Sequence, residues 1–369
     1  MAKIKAFDFT VKINNLQEAC FVEKSFDERL EPNQVLLAID QFAFTSNNIT
    51  YGVVGEKMNY WQFFPSTTGD GIIPAWGFAT VILSAHPAIK TGDRYYGYYP
   101  TGSHLLVTAA KASNQGFFDA TTHRRSLPSI YNYYTNCAFD AGYTADNEWI
   151  ISLFRPLFIT SFLIDEHLAE NKFYGAAYLV ITSASSKTAQ ALACLVANRQ
   201  KEHHSSLQIV GLTSEKNREY VRELGWYDQT LHYANLDQLP DDRPVVIVDF
   251  TGNHQTQFNL QTKLKDKLVY NCLVGLVDWQ HLKGEETLPN KGDFFFAPTH
   301  AAKRQHDWGG DGYLRKVGGA WNHFTDAISS RILIKEHKGR GQFEKLYRKM
   351  LNGDISPKHG NIVKLNTID

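Results

Sequence analysis

The sequence predicts an α/β protein of two domains, a doubly wound parallel sheet joined to a domain rich in β-strands. Two observations carry this prediction. From about residue 176 onwards, short apolar runs alternate with helical patterns, as they do in parallel sheets covered by helices on both faces. By contrast, residues 1–110 hold several short extended candidates separated by turn residues such as Glu31-Pro32-Asn33. A chain of 369 residues is long enough for two domains of different class.

Composition limits the classes of partner. Lysine plus arginine and aspartate plus glutamate each number 38, so the formal net charge is zero and no overall positive field favours nucleic acid. The N-terminal residues lack the apolar core of a signal peptide, and no apolar run reaches the roughly 18 residues of a membrane-spanning helix. The four cysteines are scattered, without metal-ligand spacing. We therefore expect a cytoplasmic protein that acts on a small molecule, without a membrane or nucleic-acid partner and without a bound metal.

A long irregular segment, Thr45–Pro74, interrupts the β-rich part and is rich in aromatic residues. Such segments in compact domains are usually functional or disordered, and this one is too aromatic for disorder. It could form the wall of an apolar ligand pocket. An aromatic cluster that fills the domain core is an equally good interpretation. The aromatic residues concerned are Tyr51, Tyr60, Trp61, Phe63 and Phe64.

A strand–turn–helix pattern that begins at Ala176 is the centre of the prediction. The short, mostly apolar run Tyr178–Thr182 is typical of a strand buried on both faces. It ends in the small-residue turn Ser183–Ser186, and the helical pattern that follows carries an apolar stripe. A second strand, Leu207–Leu212, precedes an amphipathic stretch that Gly225 ends. This order is that of a Rossmann-type nucleotide-binding sheet.

The turn after the first strand is the candidate pyrophosphate site, because free amides and the helix dipole favour an anion there. Glycines usually occupy this turn so that the backbone can approach the phosphates, but here they are replaced. Lys187 could instead place a positive charge on the pyrophosphate. Alternatively, the serines only cap a helix. The candidate contacts are Ser183, Ala184, Ser185, Ser186, Lys187 and Thr188.

The ends of the later strands indicate which dinucleotide would bind. NAD-binding domains usually carry an acid after the second strand, whereas NADP requires hydroxyls and cations around its 2′-phosphate. The pattern here favours NADP, although a capping box of Ser214 and Asn217 would explain the same residues. The candidate 2′-phosphate contacts are Thr213, Ser214, Lys216 and Arg218. Further candidate backbone contacts at strand ends are Thr251, Gly252 and Gly275.

Taken in order, these segments resemble the medium-chain dehydrogenase/reductase superfamily, in its zinc-independent, quinone-oxidoreductase-like branch. The resemblance covers nearly the whole chain, and it is greatest to an uncharacterised group of the DUF2855 type, with a TSNNITYG loop and a YWQFFP run. The motifs that carry it are KTGDRYYG, PLFITSF, ITSASSKTA, GLTSEKNREYVRELG, VVIVDFTGN and LVYNCLVG. Their order and spacing make the resemblance specific.

The resemblance implies a discontinuous architecture. Residues 1–145 and 301–369 would form a GroES-like (chaperonin-10-like), partly open barrel, and residues 146–300 a Rossmann domain inserted between its two parts. A homodimer formed through a sheet edge would suit this fold. Zinc-dependent relatives have a Gly-His-Glu where this chain reads Pro74-Ala75-Trp76-Gly77-Phe78, so a catalytic zinc is not expected.

The resemblance also implies a function. It implies NADP(H) as cofactor and hydride transfer to an activated C=C or a quinone. Thr45, Asn48 and Tyr51 fall where related enzymes place groups near the nicotinamide and substrate. Of these, Tyr51 is the candidate proton donor to a developing enolate oxygen. The alternative is a non-catalytic NADPH-binding or sensor protein on the same fold, since the phosphate turn lacks its glycines.

Overall fold

The computed structural model describes residues 3–275 and 292–366. Contacts divide the chain into two compact units. The first, here the barrel unit, holds residues 1–153, 333–355 and 359–369, and the second, the parallel-sheet unit, holds residues 154–332 and 356–358. These divisions, at Leu153 and Ile332, lie later in the chain than the predicted domain boundaries at residues 145 and 300.

The secondary structure follows the predicted change from strands to alternating strands and helices. In chain order the strands are β1 (Lys3–Lys12), β2 (Asn15–Asp27), β3 (Gln34–Ala43), β4 (Pro74–Ser84), β5 (Arg94–Pro100), β6 (His104–Ser113), β7 (Gly116–Asp119), β8 (Tyr133–Asn136), β9 (Tyr178–Ile181), β10 (Gln208–Thr213), β11 (Gln229–His232), β12 (Val245–Asp249), β13 (Leu268–Leu273), β14 (Asp293–Phe294), β15 (Leu333–Lys338) and β16 (His359–Lys364). The helices are α1 (Ser46–Val53), α2 (Glu148–Glu170), α3 (Lys187–His203), α4 (Glu215–Glu223), α5 (His254–Leu264), α6 (Ala297–Ser329) and α7 (Gly339–Leu351).

The barrel unit is built on a closed ring of antiparallel strands. The hydrogen-bonded order is β3-β4-β5-β8-β7-β6, and β6 pairs back onto β3. β16 pairs with the end of β3, β15 lies parallel to β16, and β1 with β2 forms a separate antiparallel hairpin. The predicted fold class is confirmed, with the difference that the ring closes where a partly open barrel was expected.

Aromatic side chains fill the core of the barrel unit, and the predicted aromatic segment contributes several of them. Tyr51, Tyr60, Phe63 and Phe64 are all buried in this core, and Trp61 packs against it. Burying large rings is the main source of stabilisation available to such a core. The segment therefore packs inside its own unit, as the second of the two interpretations predicts.

The parallel-sheet unit has the doubly wound topology that the sequence pattern predicts. Its strand order is β11-β10-β9-β12-β13-β14, and every neighbouring pair is parallel. Numbered from β9, this is the order 3-2-1-4-5-6 of a dinucleotide-binding sheet, in which the order reverses beside the first strand. The apolar stripe of α3 is buried, and the Ser186 hydroxyl caps the helix by accepting from the Ala189 amide at 3.3 Å. The turn before α3 therefore lies at the switch point of the sheet.

A buried carboxylate, that of Glu148, ties the start of α2 to the barrel strands. Arg94 donates from Nε and Nη2 to the two carboxylate oxygens, and the Nη2–Oε2 distance is 2.7 Å. Gln41 Nε2 and Tyr143 Oη donate to the same carboxylate at 2.6 and 2.7 Å. Glu148 is only 6% exposed. Removing one partner of a buried ion pair leaves the other charge without compensation, so this network should matter for stability.

We expect the substitution Glu148→Gln to destabilise the protein by about 3 kcal/mol, because the Arg94 guanidinium loses its buried counter-charge and keeps only the partly exposed Asp40 carboxylate, at 2.6 Å. Urea unfolding followed by fluorescence measures the change. The matched control is Glu219→Gln, which removes an exposed partner of Arg222 at 3.1 Å and should cost about 0.5 kcal/mol or less. Equal effects of the two substitutions would show that the Glu148 network contributes no more than a surface pair.

Candidate functional site

The turn between β9 and α3 has the backbone shape of a phosphate-binding turn without its glycines. Ser183, at the position of the first glycine, adopts a left-handed conformation with φ of +48°. Non-glycine residues adopt this region at a cost, so the surroundings must hold it. The Ser183 amide donates to Tyr233 Oη at 2.7 Å, and the Ala184 amide donates to the Leu212 carbonyl at 2.9 Å. Hydrogen bonds thus fix the conformation that glycine would adopt freely.

The first amides of α3 remain directed out of its N-terminus. Lys187 and Thr188 are the first two helical residues, so their N–H groups precede the first intrahelical acceptor. The helix has 17 residues, which is long enough for its dipole to contribute a positive potential at this end. An anion would be stabilised here by the backbone alone.

The Lys187 side chain has a partner within its own unit. Its ammonium group donates to the Pro357 carbonyl and lies 5.8 Å from the centre of the Phe154 ring. Burial lowers the pKa of this lysine from 10.5 to about 7. From the sequence we expect the Lys187 charge to lie on a pyrophosphate. The structure instead shows the charge engaged with a backbone carbonyl, so the phosphate contact stays a prediction.

One predicted 2′-phosphate residue, Thr213, is bonded to Ser185 together with the neighbouring Asn217. Ser185 Oγ accepts from Thr213 Oγ1 at 3.3 Å and from Asn217 Nδ2 at 3.1 Å. Ser214 is the N-cap of α4, but its hydroxyl caps no amide, so the alternative of a capping box with Asn217 is wrong. Sequence reasoning missed Asn217 as a member of this group, because only its spacing from Ser214 was considered.

Two polar atoms in this group lack partners. Ser214 Oγ and Arg218 Nε are buried, and neither has a hydrogen-bond partner among residues 3–275 and 292–366. Arg218 reaches Glu215 only with Nη1, at 3.4 Å. Lys216, the remaining candidate, is exposed on the first turn of α4. A hydroxyl and a guanidinium N–H beside the end of β10 are donors that suit a phosphate.

The candidate contacts at the other strand ends are held by one buried carboxylate, that of Asp249 at the end of β12. Thr182 Oγ1 donates to it at 2.5 Å, and Thr251 Oγ1 donates at 2.7 Å. The Thr251 and Gly252 amides donate to it at 3.1 Å each, so both are used within the chain. Gly275 must be glycine, since a Cβ there would lie 2.5 Å from the Gly252 nitrogen. These three residues therefore shape the edge of the sheet.

In the barrel unit, two of the three predicted catalytic residues cap α1. Thr45 Oγ1 accepts from the Asn47 amide at 3.2 Å, and Asn48 Oδ1 accepts from the Thr45 amide at 2.7 Å. Asn48 Nδ2 donates to the Pro74 carbonyl at 2.9 Å. This reciprocal capping box fixes the helix that carries Tyr51. A role for Thr45 and Asn48 beside a nicotinamide or substrate stays a prediction.

Tyr51 lies in a cluster of phenols and one indole. Its ring centre is 4.5 Å from that of Tyr60 and 5.8 Å from that of Tyr98. Its phenol lies beside Asn47, Trp76 and Tyr98. Burial raises the pKa of Tyr51 well above its ordinary value, so the phenol is neutral and able to donate a proton. Sequence reasoning missed Trp76 and Tyr98 as neighbours of Tyr51.

No three His, Cys, Asp or Glu side chains in residues 3–275 and 292–366 lie close enough to hold a metal ion. None of the helices in the same ranges is long and apolar enough to cross a membrane.

The solved structures that share this fold include three proteins, of which two are named as oxidoreductases and two hold NADP or NADPH. The yhdH oxidoreductase from Salmonella enterica in complex with NADP has 13% identity and a TM-score of 0.54, over 98% of this chain and 100% of its own. CurA from Vibrio vulnificus in complex with NADPH has 10% identity and a TM-score of 0.61, over 100% of both chains. The quinone oxidoreductase from Coxiella burnetii has 11% identity and a TM-score of 0.55, over 98% and 100%. At these identities the likeness shows the fold.

Comparison at the level of sequence identifies the family. No curated protein sequence matches this chain. The family model described as "Protein of unknown function (DUF2855)" matches residues 42–356, which is most of the chain. The protein, which shares its fold with these solved structures, therefore belongs to the DUF2855 family.

Proposed function

We propose that this protein is a zinc-independent oxidoreductase that uses NADPH to reduce an activated C=C bond or a quinone. The observation that carries the proposal is a pair of buried donors just after β10, Ser214 Oγ and Arg218 Nε, which have no hydrogen-bond partner among residues 3–275 and 292–366. This is the place in a doubly wound sheet where the 2′ group of a dinucleotide binds. The NADP and NADPH complexes of proteins with this fold support the same cofactor.

The residues present fit the cofactor in two places. The Lys187 and Thr188 amides at the start of α3 would hold the pyrophosphate. Ser214 and Arg218, with Thr213 beside them, would hold the 2′-phosphate. When bound, NADPH supplies the hydride.

The chain itself would supply the proton. Reduction of an enone places a hydride on the β-carbon and leaves a developing negative charge on the oxygen, which a proton must neutralise. Tyr51 is a buried neutral phenol on α1, held in place by the Thr45–Asn48 cap. A phenol with a raised pKa stays protonated at neutral pH and releases its proton only to a strongly basic oxygen. We assign Tyr51 this role.

A specific observation favours a second candidate function. Ser183 occupies a left-handed position and Lys187 is bonded to Pro357, so the phosphate turn is less open than a glycine-rich one. A protein with this turn could bind NADPH without turnover and act as a sensor. Continuous NADPH oxidation with a panel of enones and quinones supports the reductase, whereas binding without oxidation of the cofactor supports the sensor.

We expect Arg218→Gln to weaken NADPH binding by about 1.5–3 kcal/mol, because a charge-assisted contact to the 2′-phosphate is lost. The affinity for NADH, which lacks this phosphate, should not change. Fluorescence titration with both nucleotides measures the two affinities. The control is Arg222→Gln on the same helix, where the arginine is 58% exposed and pairs with Glu219. Equal loss for NADPH and NADH, or no binding of either nucleotide to the unsubstituted protein, would contradict the assignment.

We expect the free energy of unfolding to rise between pH 7 and 9 through Lys187. Its pKa is about 7 in the folded protein and ordinarily 10.5, so between these values the unfolded chain holds a proton that the folded one has lost. Stability therefore increases with pH across this window, by on the order of 2 kcal/mol, and the penalty is fully present below pH 7.

The variant that tests this pH dependence is Lys187→Met, which keeps the length of the side chain and removes the charge. At pH 6 this variant should be more stable than the unsubstituted protein, and its free energy of unfolding should not rise between pH 7 and 9. Lys201→Met, an exposed site near the end of the same helix, should leave the rise unchanged. If Lys187→Met retains the rise, Lys187 is not its source.

A further inference from the structure

Two buried hydrogen-bond donors in the barrel unit lack acceptors. Trp76 Nε1 and Tyr98 Oη are both inaccessible to solvent, and neither has a hydrogen-bond partner within residues 3–275 and 292–366. Tyr98 as a whole is 0% exposed. Buried polar groups in folded proteins are nearly always paired, because leaving one without a partner destabilises the fold. Two adjacent exceptions therefore require an explanation.

The pairing of two neighbouring strands places the two donor side chains next to each other. Trp76 on β4 and Tyr98 on β5 are direct cross-strand partners, and their ring centres lie 4.9 Å apart. The Tyr51 phenol lies beside both groups. The remaining hydroxyls of the cluster, those of Tyr60 and Tyr131, lie 3.2 Å apart and pair with each other. The Tyr51 ring centre lies 5.8 Å from that of Tyr98, and the Tyr51 phenol is a neighbour of both donor side chains.

We propose that Trp76 and Tyr98 are positioning residues that act through Tyr51, holding their donors ready for the phenolate that Tyr51 becomes after giving up its proton. The inference rests on the proposed function. In the step concerned, the Tyr51 O–H bond breaks and a new bond to hydrogen forms on the reduced substrate. The electron pair stays on the Tyr51 oxygen, and water later returns a proton.

The two donors become more effective once Tyr51 is ionised. Hydrogen bonds to an ionised oxygen are about twice as strong as those between neutral groups, so the two donors act mainly once the charge has formed. The titratable groups that face the Tyr51 phenol are the phenols of Tyr60, Tyr98 and Tyr131. The nearby cation Arg124 contributes little net charge, because it forms an ion pair with Asp119 at 3.5 Å. Trp76, Tyr98 and the neighbouring Asn47 amide are therefore the local support for a phenolate.

The test uses Tyr98→Phe and Trp76→Phe, with Tyr99→Phe as the matched control. Tyr99 is also 0% exposed and follows Tyr98 on β5, but its hydroxyl donates to the Tyr95 carbonyl at 2.9 Å. Removing an unpaired hydroxyl should leave stability unchanged or raise it, whereas removing a paired one should lower it. Tyr98→Phe is thus expected to melt at the same temperature as the parent or higher, and Tyr99→Phe at a lower temperature.

The direct readout is the ionisation of residue 51 itself, with 3,5-difluorotyrosine incorporated there to lower the pH at which the phenol titrates. Absorbance titration of the whole chain needs neither cofactor nor substrate. Tyr98→Phe and Trp76→Phe should each raise the pKa of this phenol by about one unit, a tenfold change. Tyr99→Phe should not change it. An unchanged titration in both variants would overturn the proposal.

Turnover gives the second readout. In a protein that reduces a substrate, Tyr98→Phe should lower kcat about tenfold with KM nearly unchanged, as expected for an interaction made only in the transition state. In a Tyr51→Phe background, the same substitution should have no further effect. A full effect without Tyr51 would overturn the proposal. A shifted titration in a protein that oxidises no NADPH would instead leave the Tyr51 cluster as described and remove the reductase function.

Discussion

The buried carboxylate of Asp249 is the interaction on which the cofactor side of the structure depends. It lies at the end of β12, beside the first strand of the sheet, and is 0% exposed. A carboxylate without solvent must have its oxygens filled by donors, and here Thr182, Thr251 and Gly252 supply them. Because Thr182 directly precedes the phosphate turn, the same bonds that satisfy Asp249 fix where that turn begins. The switch point of the sheet is thereby held rigid before any ligand is present.

The chain keeps the shape of the phosphate turn by a different means from glycine. Glycine adopts a left-handed conformation without steric cost, whereas a serine there is strained by about 1–2 kcal/mol. The Tyr233 hydroxyl, by accepting from the Ser183 amide, offsets part of that cost. It also occupies an amide that a glycine-rich turn would leave for a phosphate. Under the proposed function, a smaller set of backbone donors would therefore remain for the pyrophosphate. Side-chain donors near β10 would then contribute more of the affinity.

Periodicity was sufficient to predict the fold, and it was insufficient for the details of the site. The parallel sheet and its first turn followed from apolar runs and small residues that lie close together in sequence. The position of the Lys187 ammonium group did not follow from any sequence pattern, because its partner Pro357 is 170 residues away in the chain. Trp76 and Tyr98 meet only through the register of β4 and β5, which no local pattern specifies. The spacing of Asn217 from Ser214 suggested a capping box, but the Asn217 side chain donates to Ser185 Oγ. Tertiary hydrogen bonds of this kind compete with local caps.

Two sets of buried donors, each without a partner in the part of the chain that the structure describes, bear on the choice between the reductase and the sensor. Ser214 and Arg218 in the parallel-sheet unit are explained equally by either function, since both require a bound dinucleotide. Trp76 and Tyr98 in the barrel unit are not explained by the sensor function. A protein that only binds the cofactor has no use for a second group of buried donors without partners among residues 3–275 and 292–366. Such groups destabilise a fold and persist where function requires them. Under the proposed function these donors would serve proton transfer from the neutral Tyr51 phenol, and this favours the reductase over the sensor.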